Sequence, residues 1–215
     1  MKHFKIAPTL LAVLLLAAVP IAARADTTLD PSGWTTVGNA GLQLNQLRLS
    51  TAYDLDDDAS FLPTDTPAAG VADLEFAAGL APYALDLSDT DYATEGAIAT
   101  RLITVSAGQV LRFDWSLSSQ DTMFSDHAFM VLGNQVITLA TAGQAPTGPQ
   151  GVVHQFAQGG SLLLGVGVVD VQDYAGASTL TISNLQISAV PEPGTYALLL
   201  AGLGLVGAAA RRRPA

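Results

Sequence analysis

Q-V-L-R-F-D-W-S-L, residues 109–117, decides the class of fold. Leu111, Phe113, Trp115 and Leu117 fall on one side of an extended chain, and Arg112, Asp114 and Ser116 on the other. That period of two belongs to a half-buried β-strand. A helix would place the same four large apolar side chains on opposing sides and bury none of them together. The apolar side of this strand, Trp115 included, is therefore expected in a core, with Arg112 and Asp114 directed at solvent.

The neighbouring stretches have the same character. Ile98 to Val105 reads as a strand, and Ser106-Ala107-Gly108 as a hairpin connection into Gln109, with Gly108 supplying positive φ. Ala128 to Leu132 and Gln135 to Ala140 are expected to pair around a two-residue Gly133-Asn134 turn. Val152 to Phe156, Leu162 to Val169 and Thr179 to Ile187 follow a Gly/Pro-rich loop over Thr141 to Gly151. In the last of these, Leu180 and Ile182 are out of phase with Leu185 and Ile187, which predicts a bulge at Ser183-Asn184. Upstream, Trp34 to Val37 starts the series. Leu42-Gln43-Leu44 and Leu47-Arg48-Leu49 are again out of phase, predicting a bulge or tight bend at Asn45-Gln46 within one strand. Ser50 to Gly70 is a polar loop, Val71 to Phe76 a short strand, and Asp86 to Gly96 an acidic loop. No helix of any length is expected before the C-terminal tail. Nine or ten short strands between glycine, proline and asparagine clusters predict an all-β domain, an antiparallel β-sandwich of jelly-roll type, over residues 26–189.

Both ends of the chain read as addresses. Met1 to Ala25 has the parts of a secretory signal peptide: Lys2 and Lys5, an apolar core from Ile6 to Ala18, Pro20, and Ala23-Arg24-Ala25 as a small-x-small cleavage site. Residues 190–215 open with Val190-Pro191-Glu192-Pro193-Gly194, continue in an apolar run and end in Arg211, Arg212 and Arg213. From Pro193 to Ala210 no side chain is charged, which as a helix would span about 27 Å, close to the hydrocarbon thickness of a bilayer. A single transmembrane helix is expected over 195–210, with the arginines as a basic stop on the cytoplasmic side. Pro191 and Pro193 hold the segment before it extended, in a form that a protease-like cleft can take.

Pro191-Glu192-Pro193-Gly194, the apolar helix and the arginine cluster resemble, in that order, the PEP-CTERM sorting signal of exported proteins in Gram-negative bacteria that make extracellular polysaccharide. The resemblance implies an exosortase as partner, a membrane-embedded cysteine transpeptidase that recognises the tripeptide and removes the helix. It also implies an inner-membrane-anchored intermediate and a final place in the cell envelope or extracellular matrix. A looser resemblance covers most of the central domain. F-D-W-S-L, an acidic gap, D-H-A-F-M-V and, later, G-V-V-D-V-Q-D (167–173) are similar to a domain common among PEP-CTERM proteins, which implies a sandwich like those of carbohydrate-binding modules.

Charge and composition narrow the partners. Between Asp26 and Ala189 three arginines and no lysine stand against eighteen acids, a formal charge of −15. Such a surface repels nucleic acid and anionic lipid. There is no cysteine, so an exported fold has no disulfide to support it. Asp54, Asp56, Asp58 and Asp65 fall at positions 1, 3, 5 and 12 of a twelve-residue loop, the spacing at which carboxylates wrap calcium, with Phe61 at the apolar eighth place. Ala59 stands where the turn glycine belongs and Pro63 stiffens the exit, so a solvated acidic loop is the competing reading. Asp86, Asp89, Asp91 and Glu95 form a looser acidic set.

For catalysis the chain offers little. Ser125-Asp126-His127 are adjacent and alternate in direction, so they form no relay. Two histidines between residues 26 and 189, without cysteine, make a poor zinc set. For sugar stacking the exposed-ring candidates are Trp34, Tyr53, Tyr83, Tyr92 and Tyr174. The expectation is a non-enzymatic surface or matrix protein of exopolysaccharide or biofilm, a weak carbohydrate-binding module. The alternative is a secreted hydrolase acting on polysaccharide.

Overall fold

The computed structural model describes residues 27–28, 33–52, 64, 66–121, 123–144, 148–174, 176–189 and 199–205. The signal segment, the Pro191-Glu192-Pro193-Gly194 motif, Arg211 to Arg213, and Asp54, Asp56, Asp58 and Asp65 lie outside them. The chain divides into a unit over 24–190 and a second made of 1–23 and 191–215.

The first unit is an antiparallel β-sandwich of eleven strands: β1 (Thr27–Thr28), β2 (Thr35–Gln43), β3 (Gln46–Ser50), β4 (Ala69–Gly70), β5 (Ala93–Val105), β6 (Gln109–Ser119), β7 (His127–Leu132), β8 (Gln135–Thr141), β9 (Gln150–Gln155), β10 (Gly160–Val171) and β11 (Ser178–Ala189). The strands follow one path, β8-β7-β10-β5-β2-β3-β11-β6-β9, with β1 on β11 and β4 on β5. The path folds into two layers at β2. Thr35 to Gly38 pair with β5, and Asn39 to Gln43 pair with β3. Gly38 sits at that change of partner with φ +77, and a Cβ there would lie 2.2 Å from the Gly96 carbonyl oxygen. Only glycine lets the two strands approach so closely with that backbone.

Between the layers lies the larger core. Leu111, Phe113, Trp115 and Leu117 of β6 meet Leu164, Val166 and Val168 of β10, with Leu180 and Ile182 of β11. Trp115 is in this core, as the alternation of β6 required. A second cluster covers the other face of the β5-β7-β10 layer, where Ile98, Phe129, Val131 and Val169 pack under Leu74, Ala78 and Leu85. That layer is thus buried on both faces, and β7 has no exposed residue. The β3-β11-β6-β9 layer has one face in the core and the other polar.

Three local expectations are corrected. Val71–Ala78 is an α-helix, α1, and not a strand; it caps the second core and ends at Gly79 with φ +65. The left-handed glycine stops the helix by turning the Gly79 and Leu80 amides back onto the Phe76 and Glu75 carbonyls. Ser106-Ala107-Gly108 does not close a hairpin, because β5 pairs with β10 and β2 while β6 pairs with β11 and β9. It is an arch from one layer to the other, although Gly108 does take φ +82. The phase break after Leu42 is a two-residue turn at Leu44 and Asn45, φ +50 and +62, which makes β2 and β3 a hairpin. The Gly133-Asn134 turn and the β11 bulge are found where expected.

In the second unit residues 199–205 are helical, with Leu199, Leu200, Leu203 and Leu205 exposed. Among the described residues no helix is long and apolar enough to cross a membrane.

Candidate functional site

The polar face of the β3-β11-β6-β9 layer carries the candidate site. Alternation along β6 sends Arg112 and Asp114 outward. Register places Arg112 opposite Val153 and Asp114 opposite Gly151 of β9, and on the other side Arg112 opposite Gln186 of β11. Between Ser183 and Gln186 the register slips, and Asn184 takes φ +54. A bulge inserts an extra residue and re-aims its side chain. Here it brings Asn184 over β6, where its Nδ2 donates to Asp114 Oδ2 at 2.6 Å. Gly151 contributes no side chain, and a Cβ there would meet only Asp114 Oδ1, at 3.7 Å. The result is an open groove of about 460 Å³ over these three strands.

Among the described residues, the hydrogen-bonding capacity of the groove is largely unused. Asp114 Oδ1 and the Asn184 side-chain carbonyl are available beside the bond that joins their residues, and Gln186 offers both a donor and an acceptor. Arg112 is exposed and, among the described residues, has no hydrogen bond or ion pair from its side chain. The other two arginines differ. Arg48 Nη1 donates to Gln43 Oε1 at 3.0 Å, and the Arg101 guanidinium packs over Gly33, where a Cβ would lie 2.8 Å from its Cζ.

A second polar cluster is buried at one end of the sandwich. Asp126, fully buried, accepts from Ser178 Oγ at 2.6 Å and from the Val171 amide at 3.1 Å, which ties β11 of one layer to β10 of the other. Burial outweighs these bonds and pushes its carboxyl up to about 7. Asp170 is 2% exposed; burial first, then the carboxylates of Asp126, Asp173, Glu95 and Asp121, push it up to about 9. His127 projects into the helix-covered core beside Phe129, and burial lowers it to about 4. Asp126 and His127 thus serve different layers of packing, and Ser125-Asp126-His127 forms no relay.

The remaining sequence candidates scatter. Asp86 accepts from the Ala93 amide and Asp91 from the Ser88 hydroxyl, so both stabilise the turn into β5. His154 packs edge-on against Phe156 at 5.1 Å. Trp34 packs half-buried on the main core, while Tyr83, Tyr92 and Tyr174 are exposed; none of these rings lines the groove, and Tyr53 lies outside the described residues. Among the described residues no group of three or more acidic or histidine side chains is arranged to hold a metal ion. Sequence reasoning directed Arg112 and Asp114 outward and placed the bulge at Asn184 without joining them, because their meeting depends on the β6–β11 register.

Residues 189–213 match the model of the PEP-CTERM protein-sorting motif, so the chain carries a PEP-CTERM sorting signal, which indicates an exported protein that an exosortase sorts. No curated protein matches the chain. Among solved structures it is similar to one described as "CBM4 structure and function", at 13% identity over 74% of this chain and 96% of that one, with a TM-score of 0.37. Another, the "Structure of a family two carbohydrate esterase from Cellvibrio japonicus", shares 11% identity over 79% of this chain and 36% of that one, with a TM-score of 0.35.

Proposed function

We propose that this protein is a non-enzymatic component of the cell surface or exopolysaccharide matrix, delivered there by exosortase processing, which holds polysaccharide weakly in the groove over β6, β9 and β11. The observation that carries the proposal is the groove itself, a concave site whose donors and acceptors are unspent on the face the sandwich leaves open. Affinity is expected to be modest, because the one aromatic residue of the lining, Phe113, is buried in the core and offers no face for a pyranose to stack on. The test is titration of the full-length protein in mild detergent with a panel of oligosaccharides, scored for both binding and hydrolysis. Saturable binding without turnover is expected; turnover would replace this function with the hydrolase alternative.

Delivery makes its own prediction. Before processing, the C-terminal helix anchors the chain in the inner membrane with the arginines inside. Intact mass of the protein from the envelope fraction should lack the apolar helix and the terminal arginines. A native chain ending at Ala215 would rule out exosortase cleavage. Calcium in the Asp54 to Asp65 loop is a separate proposal. A cation bound only to the folded state stabilises it, so EDTA should lower the melting temperature by a few degrees, and an unchanged melt would remove the site.

A further inference from the structure

The groove holds an arginine that has no partner among the described residues. Against eighteen acids between residues 26 and 189, three arginines are scarce, and a scarce cation on such a surface ordinarily acquires a carboxylate. Asp114 is two residues away on the same face of β6. Yet it takes the Asn184 amide at 2.6 Å, and the Arg112 fork stays open. The bulge and the positive φ of Asn184 create that choice, since they bring the amide to Asp114. A guanidinium kept open beside hydroxyl-binding groups is suited to a planar anion, which it grips through two parallel bonds.

We infer that the groove takes a sugar unit bearing a carboxylate, a uronic acid residue, whose carboxylate pairs with Arg112 while its ring hydroxyls bond Asp114, Asn184 and Gln186. Arg112 and Asp114 are separated by two strand residues, about 6.6 Å, which is close to the length of one pyranose ring. Such a unit places its acidic group on the arginine and its hydroxyls on the carboxylate. The reverse placement would set two carboxylates together. Repulsion from the remaining acids is long-ranged and is screened beyond about 8 Å at physiological salt, whereas the contact pair is not. The inference rests on the polysaccharide-binding function proposed above and specifies its ligand.

The test uses a matched pair, tri-galacturonic acid and its methyl ester, which share a backbone and differ in charge. Affinities for the full-length protein in mild detergent are measured by calorimetry in about 0.15 M salt. The acid should bind roughly tenfold more tightly than the ester, about 1.4 kcal/mol. Arg112→Gln should bring the acid down to about the ester's affinity, with Arg112→Lys retaining part of the preference. Arg112 is exposed and bonds no described residue through its side chain, so these variants should keep the wild-type melting temperature. Gly151→Phe, which has room for its Cβ, should block both ligands by filling the groove. Equal affinity for acid and ester, or an acid affinity untouched by Arg112→Gln, overturns the carboxylate inference while leaving polysaccharide binding in place. If acid, ester and the neutral cellohexaose all fail to bind, the proposed function falls with it.

Discussion

Replacing Asp170 by asparagine should raise the melting temperature at pH 8 by about 5–10 °C, the reverse of the usual cost of changing a buried residue. Asp170 is 2% exposed and pushed up to about 9, by burial first and then by the carboxylates around it. Its unfolded value is near 3.9. A carboxyl raised on folding contributes stability that is fully present below the unfolded value and lost as pH rises through the folded one. For Asp126 that loss runs from about 4 up to about 7, and for Asp170 up to about 9. Between pH 7 and 9 His127, lowered to about 4, is neutral in the fold and Asp126 has already lost its contribution, so Asp170 dominates the slope. The wild-type melting temperature should therefore fall steadily from pH 7 to 9. Asparagine is an uncharged isostere and should flatten that fall, recovering a few kcal/mol. Asp126→Asn should be the poorer substitution, because both Asp126 oxygens accept and an amide keeps only one acceptor. Melting curves of wild type and Asp170→Asn at half-unit steps decide the matter. A wild-type curve that is flat or rises, or an asparagine variant less stable at pH 8, would show that these carboxyls are charged and solvated in the fold.

Those aspartates also show where the sequence stops being readable. Alternation along β6 placed Phe113 and Trp115 inward, and the same logic located the β11 bulge, because a strand with one apolar face announces its phase. The β5-β7-β10 layer is buried on both faces, so its strands do not alternate, and hydropathy has no means of placing Asp126 or Asp170 inside. Helix α1 escaped for a related reason. Eight residues of V-A-D-L-E-F-A-A are too few to separate a period of 3.6 from a strand, and the informative residue was Gly79, where the left-handed stop occurs. The arch at residues 106–108 looked like a hairpin because turn chemistry reports that the chain reverses and not which strand it then joins. Partner choice is a tertiary matter, and the groove inherits this. Its residues come from three strands whose registers no local pattern records, and only the outward direction of Arg112 and Asp114 and the irregularity at Asn184 could be read beforehand.

Partner choice is decided most sharply at Gly38, and Gly38→Ala should cost about 3–5 kcal/mol, lowering the melting temperature by roughly 10 °C or more. Two separate penalties act there. Alanine at φ +77 is strained by about 1–2 kcal/mol. Its Cβ would also stand 2.2 Å from the Gly96 carbonyl oxygen and 3.0 Å from the Ala69 nitrogen, all of them backbone. No side-chain rotation relieves a backbone clash, so β2 must move away from β5 just where it leaves one layer for the other. Gly133→Ala is the control. It has φ +64, yet nothing lies within 4 Å of its Cβ, so it incurs the conformational strain alone, about 1 kcal/mol. The difference between the two variants measures the close approach of β2 to β5, free of any general effect of putting alanine in left-handed backbone. Equal losses of stability at the two sites would mean that β2 crosses between the layers with room to spare, and that the union of the sheets lies in the packing of Trp115 and its neighbours instead.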